Sequence, residues 1–128
     1  MKKVVFLAIF GTASMFAHAQ TIRYVTPNGT GNGTSWQDAS SDLQAMMNDL
    51  TSIGNGEVWV AAGTYVPFRR ADSAMYNHVS TPDDSRNAFV LNTNAAVAVY
   101  GGFVGNESRR DQRNWAENPT ILEGRMPN

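Results

Sequence analysis

Gly54-Asn55-Gly56-Glu57-Val58-Trp59-Val60-Ala61-Ala62-Gly63-Thr64-Tyr65-Val66-Pro67 is the stretch that decides the fold. Side chains alternate along an extended chain, so Val58 and Val60 share one face while Glu57 and Trp59 take the other, with Glu57 read as an outward position. Asn55-Gly56 is a turn signal before this strand. Ala62-Gly63 lets the backbone bend after it, because glycine tolerates positive φ. Thr64-Tyr65-Val66 resumes strand character and Pro67 stops it. The rest of the chain reads as a lead-in, a cover or a continuation.

Working towards the N-terminus, Ser35-Trp36-Gln37-Asp38 predicts a helix start, with the Ser35 hydroxyl accepting from the Asp38 amide. Trp36, Ala39, Leu43, Met46, Met47 and Leu50 recur at helical spacing, and Gly54 suits the C-cap. Such a helix, Trp36–Leu50, has one apolar stripe and must cover a sheet or the open end of a strand stack. The two methionines read as adaptable packing. Thr21–Thr26 predicts a short strand. The run Gly29-Thr30-Gly31-Asn32-Gly33-Thr34 lacks the lysine of a phosphate-cradling loop and reads as a tight turn. Three Asn-x-Ser/Thr sites, at Asn28, Asn32 and Asn106, also read as turn chemistry.

The first 19 residues form a separate unit. Lys2-Lys3, the apolar run from Val4 and the small-x-small site Ala17-His18-Ala19 have the layout of a secretory signal peptide. The run is too short and interrupted to span a bilayer. Cleavage after Ala19 leaves residues 20–128 as the mature domain, exported to the extracellular space or outer surface. Both lysines leave with the signal, so eight arginines face eleven acidic residues, a net charge of −3. That excludes nucleic acid as a general partner and an electrostatic membrane anchor. The chain has no cysteine, so burial and backbone hydrogen bonds must hold it together. No later segment is apolar enough for a membrane span.

Towards the C-terminus, Arg69–Arg86 is polar and aperiodic and predicts a long surface excursion, the stretch in which a binding surface is expected. Its Asp72-Ser73-Ala74 resembles a short bacterial acceptor sequence for O-linked sugars. Asn87–Leu91 and Ala95–Tyr100 predict strands, Gly101–Gly105 a bend, Asn106–Asn118 a charged irregular segment, and Pro119–Gly124 a further short strand.

Candidate chemistry is sparse. Asp83-Asp84 supplies too few oxygens for a Ca²⁺ site. Glu57 and Glu107 have the residue types of a glycosidase pair but nothing in the sequence ties them together. His78 alone builds neither a zinc site nor a triad. Arg69-Arg70 and Arg109-Arg110 read as surface ion-pair partners. Trp59, Tyr65, Tyr100 and Trp115 suit either sugar stacking or packing, and large aromatics pack more often. The sequence therefore assigns no catalytic, cofactor-binding or metal residues.

Tyr24-Val25 with its Gly-rich loop, Thr34-Ser35-Trp36, Leu43-Gln44-Ala45, Val58-Trp59-Val60-Ala61-Ala62-Gly63-Thr64-Tyr65, Val99-Tyr100-Gly101-Gly102-Phe103, Arg109-Arg110-Asp111 and Thr120-Ile121-Leu122 occur in an order that resembles the N-terminal region of secreted bacterial right-handed parallel β-helix proteins, the pectin-lyase-like group. The resemblance implies a mainly β fold: the cap and first coils of a parallel β-helix, with one amphipathic helix over its mouth. A solenoid needs such a cap at its ends. It further implies an adhesive or carbohydrate-contacting whole protein, whose partners are carbohydrate, a host or cell-surface component, or more β-structure at the open end, including self-association. The alternative is the front end of a polysaccharide lyase or glycoside hydrolase. Those enzymes act through residues on later coils, so none transfers to this chain.

Overall fold

A computed structural model describes residues 19–72, 80–81 and 84–124. The expected signal peptide, His78 and Asp83 lie outside the described residues, apart from Ala19. Among those described, no helix is long and apolar enough to cross a membrane.

The architecture is mainly sheet, with parallel strands and a single α-helix. Strand β1 (Ile22–Val25) precedes helix α1 (Leu43–Ile53), then β2 (Asn55–Ala61), β3 (Gly63–Tyr65), β4 (Ala96–Phe103) and β5 (Thr120–Leu122). One sheet has the order β1-β2-β4, a second pairs β3 with β5, and every pairing is parallel. Parallel neighbours require long crossovers, which α1 and the intervening loops supply. Gly63, at φ 145°, turns the chain from β2 into β3, and Pro27 stands where its Cβ would be.

β2 is the central strand and is buried on both faces. Val58 and Val60 point towards α1, where they join Val25, Leu43, Met47, Leu50 and Tyr65 in the core, flanked by Met46, Phe89, Val97 and Val99. The helix therefore lies on the sheet as its stripe predicts. The opposite face is an aromatic cluster: Trp59 stacks on Phe103 at 4.8 Å, and Tyr24 and Trp36 pack edgewise beside them. The outward placement expected of Glu57 is thus corrected, since it is buried, while Trp59 packs as large aromatics are expected to.

The helix begins later than expected. Asp42 is its N-cap, accepting from the Ala45 amide at 2.9 Å. Ser35 does accept from the Asp38 amide at 3.1 Å, but that closes only a turn. The carbonyls of Asp38 and Ala39 are taken by the amides of Gly33 and Gly31, at 2.6 and 2.9 Å, and Ser40 pairs with β1. Those bonds hold residues 38–40 away from helical geometry and send Trp36 into the aromatic cluster. Gly54, left-handed at φ 99°, ends the helix as expected, its amide bonded to Leu50 and Thr51.

Asn87–Leu91 is not a strand. Gln44, buried in α1, replaces the strand partner: its side-chain amide donates to the Val90 carbonyl at 2.9 Å and accepts from the Val90 amide at 2.8 Å.

Candidate functional site

The two edges of the main sheet differ. In a parallel ladder the N–H and C=O of one residue point to the same side, and sides alternate along the strand. The residues pointing away from β2 are Ile22 and Tyr24 on β1 and Thr26 just after it; the Ile22 carbonyl accepts from the Arg23 side chain at 3.3 Å. The main-chain groups of Tyr24 and Thr26 are bonded: Tyr24 N–H to Gly33 O at 2.9 Å, Ser40 N–H to Tyr24 O at 3.0 Å, and Thr26 N–H to Ser40 O at 2.9 Å. Gly33 and Ser40 thus close that edge from Tyr24 onward. On β4 the Ala96 amide bonds back to Gly54, so Val97 and Val99 point outward. Among the described residues no hydrogen bond reaches their main-chain groups. On β5, Pro119 and Glu123 bond to β3, which leaves Leu122 directed outward. Ile121 and Leu122 are exposed.

Beyond Val99 the β4 edge is covered again. The Asn114 amide donates to Gly102 O at 2.8 Å, Arg113 donates to Gly101 O at 3.2 Å, and Thr120 Oγ1 accepts from Gly102 N–H at 3.0 Å. Here a shallow groove of about 310 Å³ is lined by Gly101, Gly102, Arg113, Trp115, Pro119 and Thr120. The floor has to be glycine: a Cβ at Gly101 would stand 2.6 Å from the Thr120 side chain, and one at Gly102 2.8 Å from the Trp115 backbone.

The Arg113 guanidinium stands 5.2 Å from the Tyr100 ring centroid and 5.5 Å from that of Trp115. Trp115 is 69% exposed. Every other described arginine is ion-paired with a carboxylate: Arg23 with Asp49, Arg69 with Asp42, Arg70 with Asp72, Arg86 with Asp84, Arg109 with Asp111 and Arg110 with Glu57. Arg113 has no such partner among the described residues.

The other candidates resolve into structural roles. Glu57 accepts from Arg110 at 2.5 Å and from the Trp59 indole at 2.7 Å. Glu107 instead accepts the amides of Val104, Gly105 and Asn106, at 2.6, 2.9 and 3.0 Å. Partial burial works to raise its pKa, and the backbone amides outweigh that and hold it below the usual carboxylate range. The two glutamates therefore serve separate partners. Asp84 is bound by the Arg86 side chain and amide, which bring its pKa down to about 2. Among the described residues no cluster of three metal-ligating side chains occurs. Trp59 and Tyr65 are buried and offer no face to a sugar. Burial raises the Tyr65 pKa, and its hydroxyl donates to Ala61 O at 2.9 Å. Arg69, expected at the surface, is buried beneath the helix N-terminus.

Two features escaped the sequence reading. The partner of Glu57 is 53 positions away; the available signal was a carboxylate inside the apolar run Val58-Trp59-Val60, which demands a cation once buried. Arg113 and Trp115 lie two residues apart in a segment whose irregularity hid their shared groove. Comparisons with family models, curated proteins and solved structures give no match.

Proposed function

We propose that residues 20–128 are the N-terminal cap and first coils of a right-handed parallel β-helix, belonging to an exported or cell-surface protein that contacts carbohydrate or another surface component. The role of this region is structural: it starts the stack and shields one end. The observation that carries this reading is the unequal fate of the two edges, with Gly33 and Ser40 bonded to β1 while Val97 and Val99 point outward without partners among the described residues. An unpaired strand edge is a template for further pairing. The repeated register supports the same view. Tyr24, Trp59 and Tyr100 occupy one row across β1, β2 and β4, and Arg23, Val58 and Val99 the next. β3 and β5 repeat this parallel succession after the corner at Gly63.

Sedimentation velocity over a wide concentration range tests the reading. The chain is expected to associate as concentration rises, and Leu122→Lys, which places a charge beside the outward edge, is expected to suppress that association. A compact monomer at every concentration, unaffected by the substitution, overturns it.

A further inference from the structure

Resting on the carbohydrate-contacting part of that reading, we propose that the groove between Arg113, Trp115 and Thr120 is a binding subsite for an anionic sugar unit, one bearing a carboxylate or a sulfate ester. Its cation is held ready. Arg113 is flanked by Tyr100 and Trp115 and tied to Gly101 O through one terminal nitrogen. Stacking on aromatic faces fixes a guanidinium plane, so little freedom remains to be lost when it grips a ligand. The planar fork matches two oxygens of a carboxylate or sulfate.

Among the described residues no carboxylate is paired with this charge. Arg110 lies over the same Tyr100 ring at 4.7 Å, but Glu57 neutralises it. In a mature domain of net charge −3, Arg113 is the described arginine that no carboxylate meets. An anion arriving at the groove meets a local positive centre without displacing a carboxylate of the described residues. The apolar component is Trp115, whose exposed ring offers a flat surface to the C–H face of a pyranose. The groove is shallow and floored by glycine backbone. A flat ring therefore fits it better than a bulky peptide side chain, which needs a deep apolar pocket. Its volume of about 310 Å³ suits one sugar unit.

The test is an NMR titration of the full chain with three oligosaccharides of equal length: a neutral one, a carboxylated one and a sulfated one. The Trp115 indole N–H signal of the unsubstituted protein is the variant-independent readout. It is expected to shift with one or both anionic ligands and to respond at least tenfold more weakly to the neutral one. Arg113→Gln and Trp115→Ala are each expected to weaken binding at least tenfold while leaving the melting temperature near that of the parent. Arg113→Lys is expected to fall between them, keeping the charge without the fork. The relative affinities of the two anionic ligands identify which group the fork prefers. An unmoved Trp115 signal with both anionic ligands overturns the proposal, as does equal affinity for the neutral one. A glycan that binds without moving that signal retains carbohydrate contact and rejects this site. The cap reading stands or falls separately, on association at the β4 edge.

Discussion

Arg69 grips Asp42 with both terminal nitrogens, at 2.6 and 2.5 Å, although the residues are 27 positions apart. The same Asp42 carboxylate caps α1 by accepting the Ala45 amide. One ion pair therefore joins the segment after β3 to the start of α1. Arg69 is 4% exposed, so removing its partner would strand a buried charge. Asp42→Ala is therefore expected to cost about 3 kcal/mol or more, and Arg69→Ala less, because it leaves a partly exposed Asp42 that still caps the helix. Asp42→Ala also removes the cap, worth about 1 kcal/mol, and is expected to be the worse of the two in urea unfolding. A loss under about 1 kcal/mol for both would mean that the pair behaves like an exposed one.

Gly56 ties the helix to the sheet through the absence of a side chain. Its φ is 148°, and a Cβ there would stand 2.5 Å from Leu50 Cδ2 and 2.7 Å from Thr21 O. Gly56→Ala is expected to destabilise the fold by about 2 kcal/mol, since it combines backbone strain with overpacking. Gly54→Ala probes φ alone, because nothing lies within 4 Å of its Cβ position, and it should cost less. Calorimetric melting of the two variants checks the order.

Acid should loosen the turn that follows β4. Glu107 binds backbone amides as a carboxylate, and its folded pKa lies below the ordinary 4.5. A depressed carboxyl pKa stabilises the fold fully above the unfolded value, and that contribution is lost as pH falls through the folded one. Stability should therefore decline below about pH 4.5, with Asp84 adding to the fall as pH approaches its folded value of about 2. Trp36 reports the first event, because its indole donates to Glu107 O at 2.9 Å. Its indole N–H signal is expected to shift on acidification in the parent and stay flat in Glu107→Gln. An identical acid response in both would remove Glu107 as the cause.

How much of this was legible in the sequence depends on how far away each residue's partner lies. The alternation of Val58 and Val60, the Gly54 cap and the helical stripe of Leu43, Met47 and Leu50 are local patterns, and each appears in the fold. Ser35 read as a helix cap because its bond to Asp38 is local and real. The helix failed to start there because Gly31, Gly33 and Tyr24 claim the backbone of residues 38–40. Asn87–Leu91 read as a strand, but the side chain of Gln44 supplies the bonds a neighbouring strand would have made. Arg69 and Glu57 looked like surface charges because their partners are 27 and 53 residues distant. The Arg113–Trp115 groove was hidden for the same reason: its floor and far wall come from Gly101, Gly102 and Thr120.

Amide hydrogen exchange of the dilute, monomeric chain compares the two sheet edges residue by residue. The amides of Tyr24 and Thr26, bonded to Gly33 and Ser40, should be protected, whereas those of Val97 and Val99 should exchange near the rate of open chain and slow only on association. Equal protection of Val97 and Val99 in the monomer would mean that the β4 edge is already closed, which contradicts the account.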